Sequence, residues 1–464
     1  MGVGVSNWRL AKAVAKLGQL GVVSGTALDL VIARRLQGGD PGGHVRRALS
    51  QFTFPKMAQR VLDRLFVAGG IGPDEPYAPF NMHVVPDQRA QEELCIVSNF
   101  VEVFLAREGQ PNPVGINYLE KIQLPHLPSL YGAMLAGVAV VIVGAGIALE
   151  LPAVLDQLAR HEPATYPIHV RGDTIDTAIK AFFDPSVYCE APAALPPLER
   201  PDFLPIVSSD TLATMFLRKA KGSVEGFVVE TPLAGGHNAP PRGALHLTAD
   251  GEPIYGPRDG VDLAVMRKLG LPFWLGGSYD SPERFRAALD AGAAGVQVGT
   301  CFALCEESGL DPDARRALVA KALNGTAKVF TDPRASPTGF PFKVAQLEGS
   351  LSEATVYQQR RRICDLGFLR EPYRREDGRV GYRCPAEPEA SFLAKGGKAE
   401  EQVGRKCVCN GLLANIGLGQ RLPDGGLEPY LVTLGDSFAN IGRFCKPDSL
   451  DYSAADVIRT LLGA

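Results

Sequence analysis

Two short stretches, Trp274-Leu275-Gly276-Gly277-Ser278 and Gly295-Val296-Gln297-Val298-Gly299-Thr300, set small residues where an apolar run ends. Glycine has no Cβ, so backbone N–H groups at such turns approach an anion closely, and Ser278 and Thr300 add hydroxyl donors. Between the two, Ser281-Pro282-Glu283 opens a helix with a good cap. Two adjacent strand ends of this kind converge on one phosphate dianion. A third stretch, Glu230-Thr231-Pro232-Leu233-Ala234-Gly235-Gly236-His237-Asn238, runs from an apolar strand into a Gly-Gly-His turn. Its glycines let backbone lie against a flat ligand, and histidine is the side chain best suited to exchange a proton near neutrality. His44, His83, His126, His161, His169 and His246 have no such setting and are expected to be structural.

These turns must sit at the same end of a common scaffold, and the pattern around them supplies one. Short β-branched apolar runs alternate with turns and Ala/Leu-rich helical stretches. Residues 20–26, 114–118, 138–144, 204–208, 224–230, 272–276 and 295–299 read as seven strands apolar on both faces, as a parallel sheet under helices requires. The fold expected is α/β, a TIM-type (β/α)8 barrel with a long insertion near the N-terminus and a C-terminal accessory subdomain. An eighth strand is expected before residue 1, because residues 1–6 read as the loop after a strand.

The barrel is expected over residues 1–330, with an insertion at about 30–100 that would build a lid or substrate wall. Residues 166–170 read as part of a second insertion. From 331 to 464 the βα rhythm stops, and this part reads as the accessory subdomain, with Arg360-Arg361-Arg362 as a solvated helix face.

Composition excludes several classes. A net charge of −3 without a long basic run gives no case for nucleic acid. No apolar stretch is long enough for a membrane span, and the N-terminus lacks a secretory pattern, so a cytoplasmic protein is expected. Nine cysteines without an export signal leave free thiols or a metal site open. Cys384, Cys407, Cys409 and Cys445 form a conceivable four-thiolate set, but the usual two-residue spacers are missing, so buried free cysteines are preferred and no metal is assigned.

Strand-Ala-Gly-Gly-His, strand-Gly-Gly and strand-Gly-Thr, in this order, resemble the nitronate monooxygenase family, formerly 2-nitropropane dioxygenases, and the related flavin-dependent enoyl-acyl-carrier-protein reductases. The opening Met1-Gly2-Val3-Gly4-Val5-Ser6-Asn7 and the strand after it resemble the family's first loop and second strand. The resemblance covers about residues 1–330.

It implies a flavoprotein binding FMN noncovalently, with phosphate at Gly276, Gly277, Ser278, Gly299 and Thr300. Met1, Gly2 and Asn117 would lie against the isoalloxazine, with Glu230, Gly235 and Gly236 around it. His237 matches the catalytic base, which removes the proton α to a nitro group before the flavin oxidises the carbanion. The chain departs from the family's Gln-Gly-x-Glu-Ala, having Glu230 at the glutamine position and Leu233 at the glutamate position. Lys121 and Gln123, after the strand at 114–118, are candidate substrate or flavin contacts. The activity implied is oxidation of alkyl nitronates, or a similar carbanion-forming small substrate, with O2. Alternatives are an NAD(P)H-dependent FMN enoyl-thioester reductase of lipid or polyketide synthesis, a noncatalytic flavin-binding scaffold, and a barrel binding a sugar phosphate without flavin.

Overall fold

The computed structural model describes residues 2–173, 178–189, 195–422 and 425–463. Seven strands, β1 (Gly21–Ser24), β2 (Val114–Leu119), β3 (Val140–Gly144), β4 (Asp202–Val207), β5 (Phe227–Glu230), β6 (Phe273–Gly276) and β7 (Gly295–Gln297), form one sheet. They pair in chain order, every pair parallel. All seven strands expected from the sequence are present, with ends shifted by no more than a few residues.

The sheet curls into a barrel, and the side chains show why. Val22 of β1, Ile142 of β3, Leu204 of β4, Val228 of β5 and Trp274 of β6 meet in one apolar cluster. Strands distant in sheet order therefore face one axis, while their other faces join the large cluster shared with the surrounding helices. No eighth parallel strand occurs among the described residues. The chain after Gly2 ties β1 to the segment beyond β7. Ser24, ending β1, donates its N–H to the Ser6 carbonyl at 2.8 Å, and Gly309, beyond β7, donates to the Val5 carbonyl at 2.8 Å.

The helix Trp8–Lys16 is fixed by Asn7, whose side chain accepts the N–H groups of Arg9 and Leu10. It lies so close to β1 that a Cβ on Gly21 would stand 1.9 Å from the Ala11 carbonyl oxygen. The excursion between β1 and β2 is helical (Leu28–Gln37, His44–Leu49, Pro55–Leu65 and Arg89–Arg107) and packs into the main core. Residues Ala164–Ile168 and Ile179–Phe183 form the hairpin of the second insertion.

Beyond residue 330 the pairing becomes antiparallel. Phe342–Ala345 pairs with Val329–Asp332 on one side and with Gly236–His237 on the other. Phe342, Leu366, Phe368 and Val408 share a cluster with Val3, Leu30 and Ile122, so the last third roofs the barrel mouth. Arg360 departs from the solvated face expected. Its side chain is 4% exposed and pairs with the fully buried Glu428 at 2.6 Å. Among the described residues no helix is long and apolar enough to cross a membrane.

Candidate active site at the barrel mouth

The carboxyl ends of the parallel strands open into a solvent-connected cavity at the barrel mouth. Asn117, Gly144, Ile206 and Glu230 reach it from β2 to β5, and Gly235, Gly236 and His237 from the turn after β5. Phe342, Phe368 and Val408 close it from above. Between Ala27 and Asn117 no residue lines it, so the N-terminal excursion is neither lid nor wall here. Most of the excursion's apolar surface joins the outer core, while Leu30, Val31 and Phe80 pack behind the roof against residues such as Phe368.

His237 is held from two sides. Gly236 has φ +86°, a conformation glycine adopts without cost, and turns the chain into the short strand paired with Phe342. Gly235 passes so near the chain at Leu434-Gly435 that a Cβ would lie 2.8 Å from the Gly435 nitrogen. The imidazole Nε2 stands 2.6 Å from Ser336 Oγ, which lies 2.8 Å from Thr338 Oγ1. The Phe342 ring stands edge-on, its centroid 4.8 Å from that of the imidazole. Burial above all, with the Lys121 cation a smaller contributor, lowers the His237 pKa to about 3, so the ring is neutral at ordinary pH. Burial pushes the Glu230 carboxyl up to about 7, leaving it substantially protonated near neutrality.

The two glycine turns end the paired strands β6 and β7, where Gly276 lies opposite Gln297 and pairs with the cavity-lining Glu230 of β5; none of Gly276, Gly277, Ser278, Gly299 and Thr300 lines the cavity itself. Gly277 has φ +105°, and a Cβ there would come within 2.1 Å of Thr231 Oγ1. Ser278 follows at φ +60°, with its Oγ buried and lacking a hydrogen-bond partner. A Cβ on Gly299 would meet nothing within 4 Å, so space is open there. Thr300 Oγ1 accepts the Gly435 N–H at 2.9 Å and keeps its own hydrogen to donate. An unpartnered hydroxyl beside open backbone is the local chemistry a phosphate monoester would satisfy.

Of the other expected site residues, Met1 lies outside the described residues. Gly2 stands near Thr433, whose Oγ1 is buried, unpartnered and part of a residue lining the cavity. Lys121 holds its Nζ 4.8 Å above the Phe340 ring, within electrostatic reach of His237. Gln123 is occupied within the protein, donating to Glu120 Oε1 at 2.8 Å and accepting the His169 N–H at 2.8 Å. Ser336, Thr338, Phe342 and Thr433 were not singled out from the sequence. All lie in the last third of the chain, and the run Ser336-Pro337-Thr338-Gly339 reads as an ordinary turn.

Two further groups of ionisable residues lie apart. Asp29, His83 and Cys95 bring their donor atoms within 4.8 Å of one another. They form an ion-pair network, with His83 2.8 Å from Asp29 Oδ2 and 2.6 Å from Asp87 Oδ2, and burial pushes the Cys95 thiol up to about 12. The second group corrects the cysteine set expected above. Cys445 packs near Tyr452 in a different cluster, and Cys364 takes its place beside Cys384, Cys407 and Cys409. Chain folding, not sequence spacing, chooses the fourth thiol.

A curated relative, a nitronate monooxygenase from Pseudomonas aeruginosa, is 28% identical over 246 residues, which is 52% of this chain and 61% of the relative. The resemblance read from the motifs is borne out. The chain spans about three fifths of that relative's length. No family model matches the chain. Among solved structures, FabK from Thermotoga maritima is similar with a TM-score of 0.47 at 15% identity, covering 99% of this chain and 88% of its own. A nitroalkane oxidase from Streptomyces ansochromogenes gives 0.45 at 14% identity, covering 100% and 93%.

Proposed function

We propose that this protein is an FMN-dependent oxidoreductase of the nitronate monooxygenase type, oxidising alkyl nitronates or a similar small carbanion-forming substrate with O2. The observation that carries the reading is the meeting of Asn117, Glu230, Gly235, Gly236 and His237 in one cavity, with the unpartnered Ser278 hydroxyl two residues past Gly276, which pairs with Glu230.

The residues fit the cofactor. Gly276, Gly277, Ser278, Gly299 and Thr300 would hold the phosphate, and Gly2, Asn117, Glu230, Gly235 and Gly236 would surround the ring. Bound there, FMN supplies a two-electron acceptor that oxygen can reoxidise. Protonated Glu230 would be able to donate a hydrogen bond to the ring, much as the glutamine of the resembled motif would, which reconciles the departure at that position with a flavin site.

His237 is unprotonated before substrate arrives, so its lone pair is free to accept a proton. Imidazolium is costly in this buried place, and negative charge developing on the substrate lowers that cost. Ser336 and Thr338 orient the ring through Nε2, and Lys121 favours an anionic substrate by long-range attraction.

The test is the visible spectrum of the purified protein and the cofactor freed on denaturation. Flavin absorption with release of FMN supports the proposal, and a colourless protein that takes up no added FMN overturns it. NAD(P)H consumption with an enoyl thioester, and none of the nitronate reaction, would overturn the substrate assignment while leaving the cofactor standing.

A further inference from the structure

The last third of the chain contains a small separate cluster whose buried members are Cys384, Ala386 and Cys407, packed against Cys364 and Cys409. All four cysteines line one small gap of about 10 Å³. They arrive from three segments. Cys364 lies in the loop before the hairpin Glu371–Arg374/Val380–Arg383, Cys384 directly follows that hairpin, and Cys407 and Cys409 flank the start of the helix Val408–Ala414. Leu366, Phe368, Leu369 and Val408 anchor these segments in the roof core, and on the side away from it the four thiols face one another.

The charge around the thiols gives an independent indication. Arg360 contacts Cys407, Arg370 lies near Cys364 and Cys384, Lys395 near Cys364, and Arg405 near Cys384. Two of these cations also have carboxylate partners, Arg360 in Glu428 and Lys395 in Glu387. Arg370 and Arg405 are held by backbone carbonyls, and the Glu387 carboxylate also faces Cys364. Four thiolates around a metal centre retain net negative charge, which cationic neighbours stabilise.

We propose that Cys364, Cys384, Cys407 and Cys409 are the four thiolate ligands of a metal centre. Zinc and iron–sulfur clusters share this ligand chemistry. The setting favours a cluster. A single zinc ion draws its sulfurs to about 3.8 Å from one another, given Zn–S near 2.3 Å. Among the described residues the triad bringing its donor atoms within 4.8 Å is Asp29, His83 and Cys95, and no three of these cysteines do so. The centre would stand behind the wall of the barrel-mouth cavity, since Leu369, Val408 and Cys409 line both. Its role is to pin that wall.

The test uses the full chain, expressed and purified without oxygen and analysed for iron, zinc, acid-labile sulfide and free thiols. Cys364→Ser, Cys384→Ser and the remote Cys445→Ser are analysed alongside. About four irons with equal sulfide, or about one zinc, are expected per chain in the wild type and Cys445→Ser. Most of the metal should be lost in the other two variants. Iron with sulfide supports the cluster; zinc supports the thiolate centre and overturns the cluster. A metal-free protein that takes up neither zinc nor ferrous iron with sulfide overturns the proposal, as do disulfides among the four cysteines or metal surviving in both variants. Should Cys364→Ser and Cys384→Ser fail to fold, chelation of the wild type decides: metal removal must lower Tm and readdition restore it. The measurements read metal and thiols, so they stand or fall apart from the flavin.

Discussion

His237 and Ser336, 99 residues apart in sequence, meet through a 2.6 Å hydrogen bond to the imidazole Nε2. The barrel contributes the histidine and the last third contributes the group that aims it. His237→Asn should keep FMN bound while slowing substrate-dependent flavin reduction roughly 10²–10⁴-fold, the usual loss for a general base. A preformed nitronate should suffer much less than the neutral nitroalkane, because its proton is already gone. Ser336→Ala should cost about 1 kcal/mol of orientation, seen as a several-fold fall in kcat with FMN affinity unchanged. Equal losses on both substrate forms would leave His237 a binding group.

The two glycine turns differ in what surrounds them. Gly277 combines φ +105° with a Cβ position 2.1 Å from Thr231 Oγ1, whereas a Cβ on Gly299 meets nothing within 4 Å. Gly277→Ala should therefore lower Tm with or without added FMN. Gly299→Ala should leave the Tm of the cofactor-free protein near wild type and weaken FMN binding, measured by fluorescence titration. If Gly299→Ala binds FMN as wild type does, phosphate does not occupy that space.

Glu230 predicts a pH dependence of stability. Its carboxyl is raised from 4.5 to about 7 by burial, so the folded state holds a proton that the unfolded state releases between those values. Stability falls as pH rises through that window, by roughly 3 kcal/mol at most, from about 1.4 kcal/mol per unit. Glu230→Gln removes the penalty. It should match the wild type below pH 4.5 and melt higher above pH 7, and a constant difference across the range would refute the assignment.

His83 titrates with the opposite consequence. Burial opposes its charge, yet Cys95 and the carboxylates of Asp29 and Asp87 hold its pKa well above the ordinary value of 6.5. The stabilisation is fully present below 6.5 and is lost as pH rises through the folded-state value. His83→Leu leaves two buried carboxylates without their cation, costing about 3–5 kcal/mol at neutral pH in urea unfolding. The gap from wild type should narrow in alkaline solution.

The barrel was legible because each strand is a short apolar run between turns, a signal that survives without tertiary information. Gly235, Gly236 and His237 were legible for the same reason, being contiguous. Ser336, Thr433 and Phe342 were not, because their relation to His237 exists only after the last third folds back over the mouth. Cys364 was hidden likewise: it lies twenty residues before Cys384, and nothing in that interval marks the two as neighbours. Arg360 looked solvated because Glu428, its buried partner, is far along the chain.

The ribbon of Gly236–His237 with Phe342–Ala345 bears on how the protein comes into being at the ribosome. Strands β1 to β7 are synthesised first and pair only with their chain neighbours, so none of them waits on the last third for its partner. The imidazole reaches its working position only when the strand at 342–345 arrives from the exit tunnel about a hundred residues later. A chain released early would own every motif recognisable in its sequence and still lack an ordered site, so competence is conferred late in translation, by the part of the chain whose sequence says least about chemistry.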